Sequence, residues 1–418
     1  MAEGGGRGSE DLGARWSNYP KRWGCGYPNQ FMSRDGGGSR AAAGPSAPEE
    51  VEEVEETGLE PFFFDEAAAL ADYAAAEGER KRKEEEEREA AREKEILHQR
   101  WRAHMSALDA IRGYNHKLKC PTFTRFYFTD LSTFDLDEES PLGPMRYTDA
   151  AIEVDATACC RQGEKRFLPC DSVNVLSFKV TSLNGDFPIN VYGTVLARDS
   201  LDLKCVYLFR CDRNNCQLLN SQDDLLLLTG PKRGLALIDA VYFEMDLKIK
   251  DDQGQNDKQL SKGFLTLEGP PRSLWDKMKV ESDSLDTELG TVELMFAVVN
   301  RAVEATISIE VIQGEFYGNI TACTTSIQKS IVLHDSKLAG AMTYNGTVAI
   351  QLQLLRHVVA VSLKEKLEVT AQTAGGESKS TIEFTPRASS GDEGCITCGP
   401  IVMLVKVRWS IIKRQALG

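Results

Sequence analysis

The stretch VYFEMDLKIK at residues 241–250 decides the fold. Val241, Phe243, Met245, Leu247 and Ile249 alternate with Tyr242, Glu244, Asp246, Lys248 and Lys250. Successive side chains leave a β-strand on opposite sides, so this alternation puts one face in a core and the other in water. The turn former Asp251-Asp252-Gln253-Gly254 follows. The pattern returns in Val303, Ala305, Ile307, Ile309 and Val311, set against Glu304, Thr306, Ser308 and Glu310, and again in Met403, Val405, Val407, Trp409 and Ile411. Further strand signals lie near 174–181, 189–197, 203–210, 225–229, 291–299, 329–334, 347–353, 356–363, 366–372 and 380–385. Many short strands with almost no helical pattern predict a mainly β fold: one antiparallel β-sandwich or barrel-like domain over residues 171–413, with a single core. No repeat period is evident, which argues against a propeller or solenoid.

The strings ARDSLDLKCVYLFR (197–210), LTGPKRGLALIDAVYFEMDLKIKD (228–251), AVEATISIEVIQG (302–314), HVVAVSL (357–363) and VKVRWS (405–410) carry a resemblance. Over roughly residues 172–412 the chain resembles a plant domain of unknown function, expanded in grasses and numbered 6598. The resemblance implies a β-rich domain behind a variable charged N-terminal region, with no established activity.

Upstream, the character of the chain changes. Residues 113–170 are irregular, yet Phe123, Phe126, Tyr127, Phe128 and Phe134 are too apolar for a free linker. This strip is expected to dock its rings on the β-domain; a recognition segment ordered on a partner is the alternative. Residues 66–112 read as one long helix, Ala-rich at first, interrupted at Gly78, then charged in GERKRKEEEEREAAREKE. From Ile96 the pattern becomes amphipathic: Leu97, Trp101, Met105, Leu108 and Ile111 form one stripe. That stripe packs on the chain's own β-domain, or binds a protein partner, or associates with a second copy. Residues 1–65, Gly-rich and then acidic from Glu49 to Glu56, are expected to be disordered, since they cannot bury enough apolar surface.

With 63 acidic and 49 basic residues the net charge is −14, which disfavours sequence-independent nucleic-acid binding despite the basic cluster Arg80–Lys83. No stretch reaches the roughly 18 apolar residues of a membrane span, and the N-terminus has no apolar signal core. The expected location is cytoplasmic or nuclear, with no membrane partner. The 11 cysteines then read as free or buried thiols. The sequons at Asn319 and Asn345 read as loop sequence, Asn345-Gly346 as a hairpin turn.

Cysteine supplies the most site-like pattern. Cys211 and Cys216 flank a turn, and Cys395 and Cys398 form a C-x-x-C. Four thiolates could hold structural zinc, but the spacing is unusual and ordinary thiols are the expectation. No cofactor is implied. The loop Gly230-Pro231-Lys232-Arg233-Gly234 offers Lys232 and Arg233 either as an anion contact or as solvated cations on a hairpin, the latter preferred. His334-Asp335-Ser336 reads as a strand end entering a turn, because triads assemble in space and not in consecutive positions. His357 reads as half-buried structure. Glu89-Ala90-Ala91-Arg92 resembles the active-site helix signature of ribosome-inactivating N-glycosidases, but sits among lysines and glutamates with no core. Trp275 and Tyr317, in loops, are the aromatic candidates for a ligand groove.

The expected function is a non-enzymatic protein-interaction module acting through the β-domain and helical arm, in a stress or defence setting on family grounds alone. The alternatives are a hydrolase with an unrecognised site and a carbohydrate- or ligand-binding sandwich.

Overall fold

A computed structural model describes residues 65–115, 119–146, 169–251, 256–269, 278–339, 342–343 and 350–412. It is mainly β, the sheets are antiparallel and none closes into a barrel. The alternation read in the sequence sets which side chains are inside. Met403, Val405, Val407 and Trp409 of strand Ile401–Ile411 are all buried, as are Val303, Ala305, Ile307, Ile309 and Val311 of strand Ala302–Gln313.

Where one core was expected, the described residues form two apolar clusters. The first lies between two sheets of residues 172–299. One sheet runs in the order Val280–Asp286, Gly290–Val299, Ser172–Leu183, Leu235–Ala236. The other runs Val206–Cys211, Ile189–Arg198, Ala240–Ile249, Lys258–Glu268, with Gln217–Leu219 also on Ile189–Arg198. Phe178, Phe209 and Phe243 are buried here, and Phe243 stacks on Phe296 with centroids 6.4 Å apart.

The second cluster lies between a sheet built on Ala302–Gln313, Ile401–Ile411 and Ser390–Cys398, and a sheet in the order Ile331–Asp335, Gly318–Thr324, Leu367–Thr373, Lys379–Phe384. Ile350–Gln351 and Val358–Ser362 both pair with Ala302–Gln313. Asn174 joins the halves. Its side chain donates to Ala360 O (2.7 Å) and accepts from Ala360 N (2.9 Å), closing the outer edge of strand Val358–Ser362. Besides several strands of two to four residues, four longer ones escaped the sequence reading: Lys258–Glu268, Val280–Asp286, Gly318–Thr324 and Ser390–Cys398. The signal at 225–229 becomes a single bridge between Leu225 and Lys179.

Close approach of the backbone requires glycine at position 193, among others. Gly193, at φ +122°, lies so near strand Ala240–Ile249 that a Cβ would sit 2.1 Å from the Asp246 carbonyl oxygen. Gly193→Ala is expected to cost about 2–3 kcal/mol, read from the urea midpoint; a loss below about 0.5 kcal/mol would contradict this strand pairing.

By its contacts the chain divides into residues 1–77 and 78–418. The helix spans Glu66–Ala110, capped by Asp65, whose Oδ1 accepts from Ala67 N (3.0 Å) and Ala68 N (3.2 Å). Gly78, which ends the Ala-rich run, leaves the helix continuous, as the reading of one long helix expected. A Cβ there would meet nothing within 4 Å, so the position costs only glycine's propensity of about 1 kcal/mol. After the helix ends at Ala110, Arg112–Asn115 form a short strand paired with Cys120–Phe123.

The described part of the connector lies on the outer face of strand Ala240–Ile249. Phe126, 1% exposed, packs 4.8 Å from Tyr242, Phe128 lies 5.4 Å from Tyr242, and Tyr127 lies 6.0 Å from Phe264. Glu244, placed in water by its alternation, is therefore only 4% exposed. The tail before Asp65 and connector residues 147–168 fall outside the described residues.

Candidate functional site

The polar face of the sheet at residues 302–313 and 401–411 lines a groove of about 960 Å³. Register builds it: Thr306 pairs with Arg408, and Arg408 with Gly391; Ser308 pairs with Lys406, and Lys406 with Glu393. Gln351 and His357 line it from the segment that follows the same strand. Lys406 Nζ donates to Glu310 (2.6 Å), and Trp409 Nε1 donates to Asp392 (2.8 Å). Arg408 is exposed and has no ion-pair or hydrogen-bond partner among the described residues. Thr306 Oγ1 is enclosed and likewise unpartnered. Burial pulls the His357 imidazole below its ordinary pKa against the opposing charge of Glu304, so it is mostly neutral at pH 7. The groove thus offers mixed charge and hydrogen-bonding groups, suited to a polar ligand. Among the described residues its lining has no phenylalanine, tyrosine or tryptophan on which a sugar ring could stack.

The residues singled out in the sequence are scattered. Arg233 is fully buried, its Nη1 donating to Asp199 (2.6 Å) and its Nη2 to Asp199 (3.0 Å), Asp202 (3.3 Å) and Ser140 (3.3 Å). Lys232 Nζ donates to Glu139 of the connector (2.6 Å). Both cations of this loop, expected to be solvated, therefore already face carboxylates of the chain, because the connector returns over the loop. Tyr317 is exposed but lies outside the groove lining, and Trp275 lies outside the described residues, as does Asn345.

Cys211 ends a strand around the first core, and Cys216 follows in the adjacent turn; Cys395 and Cys398 are on an edge strand of the second. All four are free thiols, and among the described residues no group of three or more His, Cys, Asp or Glu is arranged to hold a metal ion. Burial pushes the Cys211 thiol up, away from the reactive thiolate. Cys398 is buried, with Sγ against Ser378 O at 3.2 Å.

His334 and Ser336 do meet. His334 Nδ1 donates to Gln353 O (2.9 Å), so Nε2 accepts from Ser336 Oγ (3.0 Å), which itself accepts from Gly318 N (3.1 Å). Both residues are almost wholly buried, His334 at 0% and Ser336 at 2% exposure. A serine so enclosed cannot meet a substrate in this conformation, and the pair holds the end of strand Ile331–Asp335.

The helix stripe divides along its length. Leu97 and Trp101 are 64% and 54% exposed, Met105 and Leu108 half-buried, and Ile111 buried. Its last turns are tied to the connector, where Arg100 donates to Asp130 (2.9 Å), Leu131 N to His104 Nδ1 (3.1 Å) and Thr124 N to Ile111 O (2.8 Å). Glu89 and Arg92 are exposed helix-surface residues. No helix among the described residues is long and apolar enough to cross a membrane.

Residues 172–407 match the family model of a domain of unknown function, DUF6598. The chain belongs to the DUF6598 family. The match starts at the first residue of strand Ser172–Leu183 and ends inside strand Ile401–Ile411, so the DUF6598 domain includes both cores and most of the groove. The long helix and connector precede it. No curated protein matches the chain significantly. Two solved structures share weak likeness. Human GIVD cytosolic phospholipase A2 has a TM-score of 0.21 and 9% identity, over 60% of this chain and 31% of that one. The SMP, C2A and C2B domains of extended synaptotagmin 2 have a TM-score of 0.20 and 8% identity, over 61% and 60%. Likeness at that level carries no argument about the DUF6598 domain.

Proposed function

We propose that this DUF6598 protein is an interaction module that binds a helical segment of another protein through its own long helix. One observation carries the reading: no residue of the 45-residue helix is buried, yet Ile96, Leu97 and Trp101 sit together on it at 55%, 64% and 54% exposure. Fully burying a large apolar side chain contributes about 1.5–3 kcal/mol, so a partner's apolar stripe gains most at this point. The flanking charged residues, Glu93, Lys94, Glu95 and Arg100, would form the polar rim.

The plant, stress or defence setting comes from family resemblance and enters only as the choice of a grass extract. The double substitution Leu97→Asp, Trp101→Ala is expected to leave folding stability within about 0.5 kcal/mol of the parent, since both side chains are largely exposed. It is expected to abolish capture of the specific partner. Capture of the same proteins by parent and variant would overturn the reading. Light scattering on the purified protein separates a second copy from a different chain as the occupant.

A second reading, a ligand-binding sandwich, is favoured by the unpartnered Arg408 and Thr306 Oγ1 in the groove.

A further inference from the structure

Among the described residues of the DUF6598 domain three arginines are buried: Arg198 and Arg233 at 0% exposure and Arg356 at 3%. The first two each have a carboxylate. Arg198 Nε donates to Glu244 (2.7 Å) and Arg233 Nη1 to Asp199 (2.6 Å). Arg356 has none. No hydrogen-bond or ion-pair partner of its guanidinium is found among the described residues, and Nε is fully enclosed without one. The Nη atoms are not among the fully enclosed orphans, so the tip of the fork still meets accessible space. Burial alone lowers the pKa to about 10, which leaves the group charged at neutral pH. An unpaired buried cation is costly, and a native structure retains one where an ion, water or ligand completes it.

The backbone around it is firmly held. Leu352 N donates to Ile309 O (2.8 Å) and Ile307 N to His357 O (2.7 Å), so the chain leaves this ladder between Leu352 and His357. The segment is pinned to strand Ile331–Asp335 at two points, by Gln353 O on His334 Nδ1 (2.9 Å) and by Leu355 N on Leu333 O (2.7 Å). The buried His334–Ser336 pair thus acquires a role, which is to fix the segment that presents Arg356.

We propose that Arg356 is an oxyanion site, taking a carboxylate or phosphate group two-pronged on its guanidinium fork. The inference is independent of the helix: it concerns other residues, and either can fail alone.

The test is thermal unfolding of the full chain in an oxyanion-free buffer. About 20 mM inorganic phosphate, or an acetylated dipeptide with a free C-terminal carboxylate, is added at constant ionic strength. The parent Tm is expected to rise by about 3–5 °C with at least one of these probes. Arg356→Met should remove the probe-specific part of the rise. It should also raise Tm in the absence of probe, because it removes an uncompensated charge. Arg356→Lys, keeping charge but losing the fork, should retain a reduced shift. Stabilisation by the dipeptide acid but not its amide, without a phosphate effect, assigns the site to a partner's carboxylate; a phosphate effect assigns it to phosphate groups. Equal shifts in parent and Arg356→Met would reduce the effect to general salting and overturn the proposal. So would a lower probe-free Tm for Arg356→Met than for Arg356→Lys, or no shift with any probe.

Discussion

Replacing Glu244 by alanine is expected to lower folding stability by about 3–5 kcal/mol, the range found when one member of a buried ion pair is removed. Glu244 receives Arg198 Nε (2.7 Å) and Nη2 (3.1 Å), Arg125 Nε (3.1 Å) and the Phe126 backbone N–H (2.8 Å). Its loss would leave the fully buried Arg198 without a counter-charge. Arg198 also donates to Leu136 O and Leu203 O, and lies 6.0 Å from the Phe126 ring centroid. One carboxylate therefore holds a core arginine and the connector together. Urea unfolding measures the loss, and proteolysis within residues 119–146 should speed up at the same time. The double variant Arg198→Met, Glu244→Leu should recover part of the stability, because the apolar pair no longer leaves a charge stranded. It should not restore protection of the connector, since Phe126 N–H and Arg125 still lack their acceptor. A loss under about 1 kcal/mol for Glu244→Ala would mean that the connector is not seated on this strand.

Arg233→Met should cost a similar 3–5 kcal/mol, because it strands Asp199, which is fully buried. Here the double variant Arg233→Met, Asp199→Leu should recover little. Asp199 Oδ2 also accepts from Ala236 N (2.8 Å), and a leucine would leave that buried N–H unpaired. The cost distinguishes a structural arginine from a surface anion contact: a solvated loop cation would change stability by no more than about 0.5 kcal/mol. Lys232→Ala, in the same loop but on an exposed pair with Glu139, should fall in that small range.

Much of the fold was legible. The three long alternating stretches became three central strands, since alternation and burial are set within a single strand. The aromatic run Phe123–Phe134 was legible as something that needs a surface, but the surface was not: Tyr242 and Phe264 are more than 100 positions away. The missed strands share a cause. Val280–Asp286, Lys258–Glu268 and Ser390–Cys398 are edge strands with much exposed polar surface, and Gly318–Thr324 is made of small residues. Their extended form comes from neighbours that pair with them and hardly from their own side chains. The candidate sites were less legible still. Arg408 stood in a quoted motif, but nothing local says that Gly391 and Thr306 flank it, and no motif marks Arg356.

By itself the sequence determined the mainly β class, the inward face of each long strand, a long helix over residues 66–112 that the structure ends at Ala110, and the family. Each depends on residue types at short range or on strings matched in order. Only the tertiary structure decided that the apolar residues divide into two cores and that Glu244, Glu304 and Arg233 are buried. It also decided that Leu97 and Trp101 stay exposed while Ile111 is covered, and that, among the buried arginines of the described residues, Arg356 lacks a carboxylate. The physical reason is that burial of a polar side chain is a property of what arrives on its other side. For Glu244 and Phe126 that neighbour is 118 residues away, beyond the reach of any local pattern.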